Sequence, residues 1–360
     1  MTTTYEPAID PARIEAFAGR LMGIYTGAVL TYMIDLGHRT GLFSAAAQGP
    51  ASSAGLAVRA GLTERYVREW LGSMAAAGFV DYDPVTGVFE LPAEHAACLT
   101  GPGSSNLARF SQMTTHLGQF TNPVAQAFRD GGGVPYSAFV PEFTDVMDAA
   151  SRNGFDEHLL TDILPLVPGL PEQLATGARV ADIGCGTGHA IALMAAAYPD
   201  STFIGYDLSE PALERAEAEI AAAGVTNAHY ELGDVASLTV DVPFDAVVSF
   251  DTIHDQARPE AVLRAVHDAL KPGGVYVMVE PRVSSNLEDN IGNPMAPLIY
   301  GVSTLHCLTV SLAQDGAGLG TAFGEQVARR LLADAGFVGV EVHPAPGDPL
   351  DAVFVARKPV

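Results

Sequence analysis

Two groups of residues in this chain have types and spacings that can do chemistry. The first is the run Val180-Ala181-Asp182-Ile183-Gly184-Cys185-Gly186-Thr187-Gly188, which places three glycines between an apolar stretch (178–183) and an Ala/Leu/Met-rich one (189–198). Glycine has no Cβ, so backbone N–H groups and a helix N-terminus at such a turn approach a nucleotide-like ligand closely. Asp207 follows 19 positions after Gly188, a spacing that suits a carboxylate receiving both hydroxyls of a ribose, and Asp234 lies further on. The second group is the adjacent pair His254-Asp255 together with His306, 52 positions after His254. Two imidazoles and one carboxylate are the ligand types of a facial metal triad, which leaves coordination positions open for a substrate.

The elements needed to position these groups are legible around them. Residues 178–183 read as a buried strand and 189–198 as a helix; 202–207, 231–235, 244–250 and 275–279 read as further strands, the last entered through Leu270-Lys271-Pro272-Gly273-Gly274. Ligands lie beyond the carboxyl ends of the strands in an open α/β sheet, so the segment Asp251-Thr252-Ile253-His254-Asp255-Gln256 faces the site. A long insertion, 284–322, carries His306 toward it. Upstream, 11–36 suggest one or two helices. Helices at 53–60 and 63–77, joined by Gly61-Leu62, precede strands at 78–82 and 88–91, a winged-helix pattern. The expected organisation is 1–104 winged-helix-like, 105–174 a helical linker and lid, and 175–360 the catalytic domain.

Composition narrows the partners. With 48% hydrophobic residues the 360-residue chain buries a sizeable core, and its formal charge of −23 argues against a nucleic-acid surface. A regulator using the winged helix on DNA would need a basic stripe, whereas 53–80 set Arg59, Arg65 and Arg68 against Glu64 and Glu69. The unit reads instead as a dimerisation and lid domain, giving a homodimer. Cys98, Cys185 and Cys307 are too few and scattered for a disulfide framework, and the N-terminus lacks a signal peptide's basic start and apolar core. A cytoplasmic protein without membrane contact is expected. The apolar stretch 21–36 is too short to span a bilayer and reads as a buried helix.

The order glycine turn, Asp207, Asp234, strand 244–250 and Lys271-Pro272-Gly273-Gly274 resembles the class I S-adenosylmethionine (SAM) methyltransferases over residues 175–358. The resemblance implies an α/β, Rossmann-like domain with a seven-stranded mixed sheet. SAM would be held by Asp182, Gly184, Gly186 and Gly188 at its methionine end, Asp207 and Leu208 at the ribose, Asp234 and Val235 at the adenine, with Phe250 and Tyr136 beside it. Tyr136 closes the segment Gly131-Gly132-Gly133-Val134-Pro135-Tyr136, similar to a Gly-x-Pro-aromatic segment of small-molecule O-methyltransferases. In those enzymes a His-Asp pair at the place of His254-Asp255 supplies the general base, an imidazole suited to taking a hydroxyl proton near neutrality, and a carboxylate like Glu280 orients it. This chain departs from them at Gln256, where Trp is usual, and at Thr321-Ala322-Phe323, where a second supporting Glu is expected.

His254, Asp255 and His306 also resemble the metal ligands of the α-keto acid C-methyltransferases of nonribosomal peptide antibiotic pathways. That resemblance implies a divalent or trivalent ion (iron, zinc, manganese, cobalt or nickel) and methylation of the β-carbon of a ketoleucine-like or phenylpyruvate-like acid. The single tryptophan, Trp70, lies in the helix-turn-helix and not in an aromatic pocket, which points to the aliphatic acid. Metal-free O-methylation with His254 as base is the rival. His38 and His116 are expected to be structural, and Arg129, beside Asp130, a surface arginine.

Overall fold

A computed structural model describes residues 9–360; the first eight, part of the stretch read for a targeting signal, lie outside the described residues. Cα packing divides the chain into two compact units, Met1–Thr115 and His116–Val360.

The first unit begins with one helix, Pro11–Arg39, started by Pro11 at its first position and by the Asp10 carboxylate accepting the Ala12 N–H at 2.9 Å. Helices Ser53–Ala60 and Glu64–Ala76 follow, the first capped by Ser52 and ended by Gly61 in the left-handed region at φ 68°. A hairpin, β1 (Asp81–Asp83) with β2 (Val88–Glu90), completes the helical winged-helix layout. Its core gathers Phe43, Leu56, Val67, Leu71 and Met74 around Trp70, whose indole N–H donates to the Met33 carbonyl at 2.8 Å. The sequence at 21–36 does form helix, but not a buried one. Met22, Ile24, Tyr25 and Val29 are all more than half exposed, and only Asp35 and Gly37 of the whole helix are buried. The reason is geometric: Leu30, Met33 and Ile34 turn toward the unit's core, and among the described residues of the unit none covers the other faces.

The second unit is built on seven strands: β3 (Arg179–Ile183), β4 (Thr202–Asp207), β5 (Ala228–Leu232), β6 (Phe244–Phe250), β7 (Leu270–Pro281), β8 (Val338–Pro344) and β9 (Asp351–Arg357). Their order is β5-β4-β3-β6-β7-β9-β8, parallel throughout except that β9 runs against both β7 and β8. Successive strand residues face opposite sides, so Ala181, Ile183 and Val247 join one apolar layer while Val180, Ala246 and Val248 join the other. The third strand stops at Leu232, short of the expected 235, because Asp234 instead caps a short turn by accepting the Ala236 N–H. Strand order reverses between β3 and β6, and in open α/β sheets that switch opens a crevice beyond the strands' carboxyl ends. The segments leaving β3 and β6 are the glycine turn and Asp251–Asp255.

Candidate active site

The turn after β3 is shaped by side chains that leave no room for a Cβ on two sides and open space on the third. Gly184, Gly186 and Gly188 all have positive φ (69°, 55° and 74°). A Cβ on Gly184 would come 2.5 Å from the Thr252 side chain and one on Gly188 would strike the Tyr230 hydroxyl, whereas one on Gly186 would meet nothing within 4 Å. The open side at Gly186 is a cradle walled by carboxylates. Asp207, at the end of β4, accepts the Gly186 and Ser209 N–H groups at 2.8 Å each, and burial raises its pKa. Asp182 is 1% exposed and its Oδ1 has no partner; burial, then the charge of Asp207, push its pKa well up. A buried carboxylate oxygen without a donor beside N–H groups and a second carboxylate fits the ammonium of an amino acid and the hydroxyls of a ribose together, as SAM would present them.

Leu208 is exposed beside this cradle, while Val235 and Phe250 are half-buried, the Phe250 ring meeting Phe155 edge-on. Asp234 pairs with Arg258 at 2.5 Å through one oxygen and accepts the Ala236 N–H through the other. Tyr136 is half-buried in the same unit: desolvation and the nearby charge of Asp207 raise its pKa to about 12, against a hydrogen bond with Thr144. Its loop is fixed at Gly133, where a Cβ would run into the Thr309 carbonyl, and at Val134, whose N–H donates to Thr309 Oγ1 at 2.8 Å.

Beyond β6 the backbone turns at Asp251, which has a positive φ of 50°, into the short helical turn Ile253–Asp255. Glu280, near the end of β7 and fully buried, holds that turn with both oxygens: Oε1 accepts the Ile253 N–H at 2.7 Å and Oε2 lies 2.6 Å from His254 Nδ1. Burial disfavours charge on His254, but Glu280 and Cys307 outweigh it and hold the imidazole's pKa well above its ordinary value. Nδ1 is thereby committed and Nε2 is the nitrogen left for chemistry. Carboxylates crowd this end of the sheet. Burial raises Asp251 to about 7 and Asp255 to about 6, each opposed by the charge of His254, and raises Asp351 well above the usual range with Asp251 and Asp348 adding to it.

The insertion folds back onto this turn. The Gly320 N–H donates to the His254 carbonyl at 2.9 Å and the Ser311 hydroxyl to the Gln256 carbonyl at 3.0 Å. Its helices Ala296–Leu305 and Cys307–Leu312 are separated by His306, whose φ/ψ of −134°/−80° breaks the helix at that one residue. The imidazole is 1% exposed, stacked on Phe143 at 3.7 Å and edge-on to Phe139 at 4.6 Å. Burial, then the charges of His254 and His116, push its pKa down to about 3, so it is neutral.

Among the described residues, the group whose ligand atoms all lie within 4.8 Å of one another is Asp251, His254 and Glu280. His254, Asp255 and His306 are not gathered to that degree, and the 2.6 Å contact between His254 and Glu280 is a hydrogen bond with no space for an ion between its ends. His116 lies buried among the rings of Phe120, Phe139 and Phe143, His38 is half-buried near Arg109, and Arg129 is exposed against Gln126. Three features escaped sequence reading: the aromatic wall of Phe120, Phe139 and Phe143, the acids Asp251 and Asp351, and the placement of Cys307 between two imidazoles. The aromatic wall also removes the reason, drawn from Trp70, for expecting an aliphatic acceptor. Only the four-residue spacing of Phe139 and Phe143 offered a signal.

Profile comparison matches residues 174–342 to a family described as a methyltransferase domain and residues 28–101 to an Rv2258c-like winged HTH domain. Curated relatives include a trans-aconitate 2-methyltransferase of Streptomyces coelicolor, 34% identical over 34% of this chain and 39% of that protein. A 24-methylenesterol C-methyltransferase 2 of Oryza sativa is 25% identical over 54% of this chain and 58% of that protein. The chain spans less than half the length of the trans-aconitate enzymes it matches first (39% and 45%). Among solved structures, the mitomycin 7-O-methyltransferase MmcR has a TM-score of 0.71 at 18% identity, covering 97% of this chain and 100% of that one. Human N-acetylserotonin methyltransferase with SAM has 0.68 at 16%, covering 99% and 100%. At these identities the structural likeness establishes the fold.

Proposed function

We propose, from the premise that residues 174–342 form a methyltransferase domain, that this protein is a SAM-dependent enzyme methylating an oxygen of a small hydroxylated molecule with His254 as general base. The observation that carries the reading is the buried His254–Glu280 pair, 2.6 Å apart, at the switch point facing the glycine turn. Asp182, the turn at Gly184, Gly186 and Gly188, and Asp207 would hold SAM, with Leu208, Asp234, Val235, Phe250 and Tyr136 around it. SAM supplies an electrophilic methyl group on a sulfonium. The chain's part is to keep His254 Nε2 pointed at the acceptor, to remove the hydroxyl proton as the oxygen becomes nucleophilic, and to stabilise the resulting imidazolium through Glu280. The aromatic wall excludes water.

A second reading, β-C-methylation of an α-keto acid, is favoured by one observation: Nε2 of His306 is buried with no protein partner, as a ligand nitrogen would be. His254, Asp255 and His306 would hold the ion, which would supply a Lewis acid that acidifies the proton beside the ketone. These side chains would have to move closer than they now stand. The two readings separate in one experiment: S-adenosylhomocysteine formation by purified protein over a panel of phenols, catechols and keto acids, with and without EDTA. O-methylation predicts turnover of a hydroxylated acceptor that EDTA leaves intact and His254→Ala abolishes. Turnover confined to keto acids and lost in EDTA would overturn it.

A further inference from the structure

The first unit, Met1–Thr115, holds a cleft that methyl transfer does not use. Its volume of about 360 Å³ falls within the range of small-molecule sites, about 300–1,000 Å³. The cleft opens where the helix Pro11–Arg39 ends, and a glycine shapes its floor. Gly37 is buried in the last turn of that helix, and a Cβ there would come 2.6 Å from the Phe43 ring and 2.7 Å from that of Trp70. Only glycine lets the Phe43 ring lie so close to the helix. The loop after Leu99 supplies further lining and is fixed by buried Asn106, whose Nδ2 donates to the Gly101 carbonyl at 2.9 Å and whose Oδ1 accepts the Ala108 N–H at 3.2 Å.

The charge of the lining runs against the rest of the chain. Aspartate and glutamate number 42 against 19 lysines and arginines, yet among the described residues no acid lines this cleft, while His38 and Arg109 both do. Arg109 donates from Nη2 to the Gly101 carbonyl at 3.3 Å and makes no ion pair among the described residues, so the rest of its fork is free. Burial, then the charge of Arg109, lower the pKa of His38, with Asp35 opposing and Arg39 adding to the effect. Asp35 is itself engaged, accepting from Arg39 Nε and Thr115 Oγ1 at 2.7 Å each. A planar guanidinium edge takes both oxygens of a carboxylate, an imidazole N–H reaches one of them, and the Phe43 ring suits an apolar body.

We propose that this cleft binds a small organic acid, with Arg109 and His38 on its carboxylate and Phe43 and Leu99 against its apolar part. These residues all belong to the first unit, so occupancy of the cleft does not depend on whether the acceptor is methylated on oxygen or on carbon. A bound carboxylate favours the charged imidazole, so it should raise the pKa of His38 and bind more tightly at about pH 6 than at about pH 8.

The test uses the full-length protein labelled with 13C-histidine and saturated with S-adenosylhomocysteine, so that the cofactor site is filled. Benzoate is titrated in, then benzamide as its neutral isostere, then inorganic phosphate as an anion without an apolar body; His38→Gln assigns the His38 signal. Benzoate should shift that signal with a Kd of about 1–10 mM, which is what a ligand of its size attains. Benzamide and phosphate should each bind at least about tenfold more weakly. Arg109→Gln should weaken benzoate by about tenfold or more, and Arg109→Lys, which keeps the charge but loses the fork, by less. Unchanged signals from the other histidines show that both variants stay folded. A His38 signal that ignores benzoate at about 50 mM, well above the expected Kd, overturns the proposal. So does an equal response to benzoate and benzamide, or an equal response in the wild type and Arg109→Gln. Phosphate binding as tightly as benzoate would reduce the cleft to a bare cationic patch and overturn it as well.

Discussion

In the proposed base role His254 would take a proton only in its neutral form, yet Glu280 favours the charged form, and this opposition gives a pH signature. The carboxylate raises the imidazole's pKa above 6.5, so kcat/KM should climb through an acid limb lying above that value. Glu280→Gln removes the negative charge, so the limb should shift to lower pH while the plateau falls, on the order of ten- to a hundredfold, as the base weakens and loses its anchor; a pH–rate profile of both proteins checks this. The linkage at Asp251 has the other consequence. Its pKa in the fold, about 7, exceeds the unfolded value, so the folded protein binds the proton more tightly and its stability declines as pH rises between roughly 4 and 7. Asp251→Asn, which tolerates the positive φ, should therefore raise the melting temperature by about 2–4 °C at pH 8 and by much less at pH 5. The types of His254, Asp255, Glu280 and His306 were visible in the sequence because adjacency and motif order mark them. Asp251 and Asp351 were not, because they are brought to Glu280 only through strand pairing, β6 against β7 and β7 against β9, across 29 and 71 residues of chain.

Strands β3, β4 and β6 could be read from apolar runs bounded by Gly, Pro and acids, since a parallel strand covered on both faces shows an unbroken hydrophobic stretch. The insertion could be placed but not shaped. Ala296–Leu312 is apolar enough for one helix, and nothing in Leu305-His306-Cys307 marks the break, which tertiary contacts impose: Thr309 takes the Val134 N–H on one side and Ser311 bonds the Gln256 carbonyl on the other. Gly133 is the element's weak point. Its missing Cβ lets the loop before Tyr136 lie against the Thr309 carbonyl, so Gly133→Ala forces backbone against backbone. The expected cost is about 1–3 kcal/mol in thermal unfolding, the range of overpacking in a close-packed site. Because that loop carries Tyr136 toward Asp207, SAM affinity measured by calorimetry should fall as well, while Gly131→Ala, at a position with nothing within 4 Å, should spare the packing and register mainly the strain of its positive φ.

At the scale of the whole molecule, the helix Pro11–Arg39 poses a problem that the chain alone does not solve. Ile14, Phe17, Leu21, Tyr25, Val29, Tyr32 and Leu36 recur every three or four residues, a single stripe along about six turns, and six of the seven are exposed. On the opposite face Gly19, Gly23 and Gly27 stand four apart in the helix interior, and a Cβ on any of them would meet nothing within 4 Å. Each glycine there costs a helix roughly 1 kcal/mol relative to alanine. Among the described residues no helix is long and apolar enough to cross a membrane, and a protein of net charge −23 has no electrostatic reason to seek an anionic one. We propose a second copy of the same helix as the partner, since an apolar stripe can pair with its own copy across a two-fold axis. Light scattering coupled to size exclusion should give about twice the 37.6 kDa chain mass. Phe17→Glu with Tyr25→Glu should shift the protein to monomer or aggregate. Gly23→Ala, on the face away from the stripe, serves as the control: it should stabilise the helix by about 1 kcal/mol and leave association unchanged.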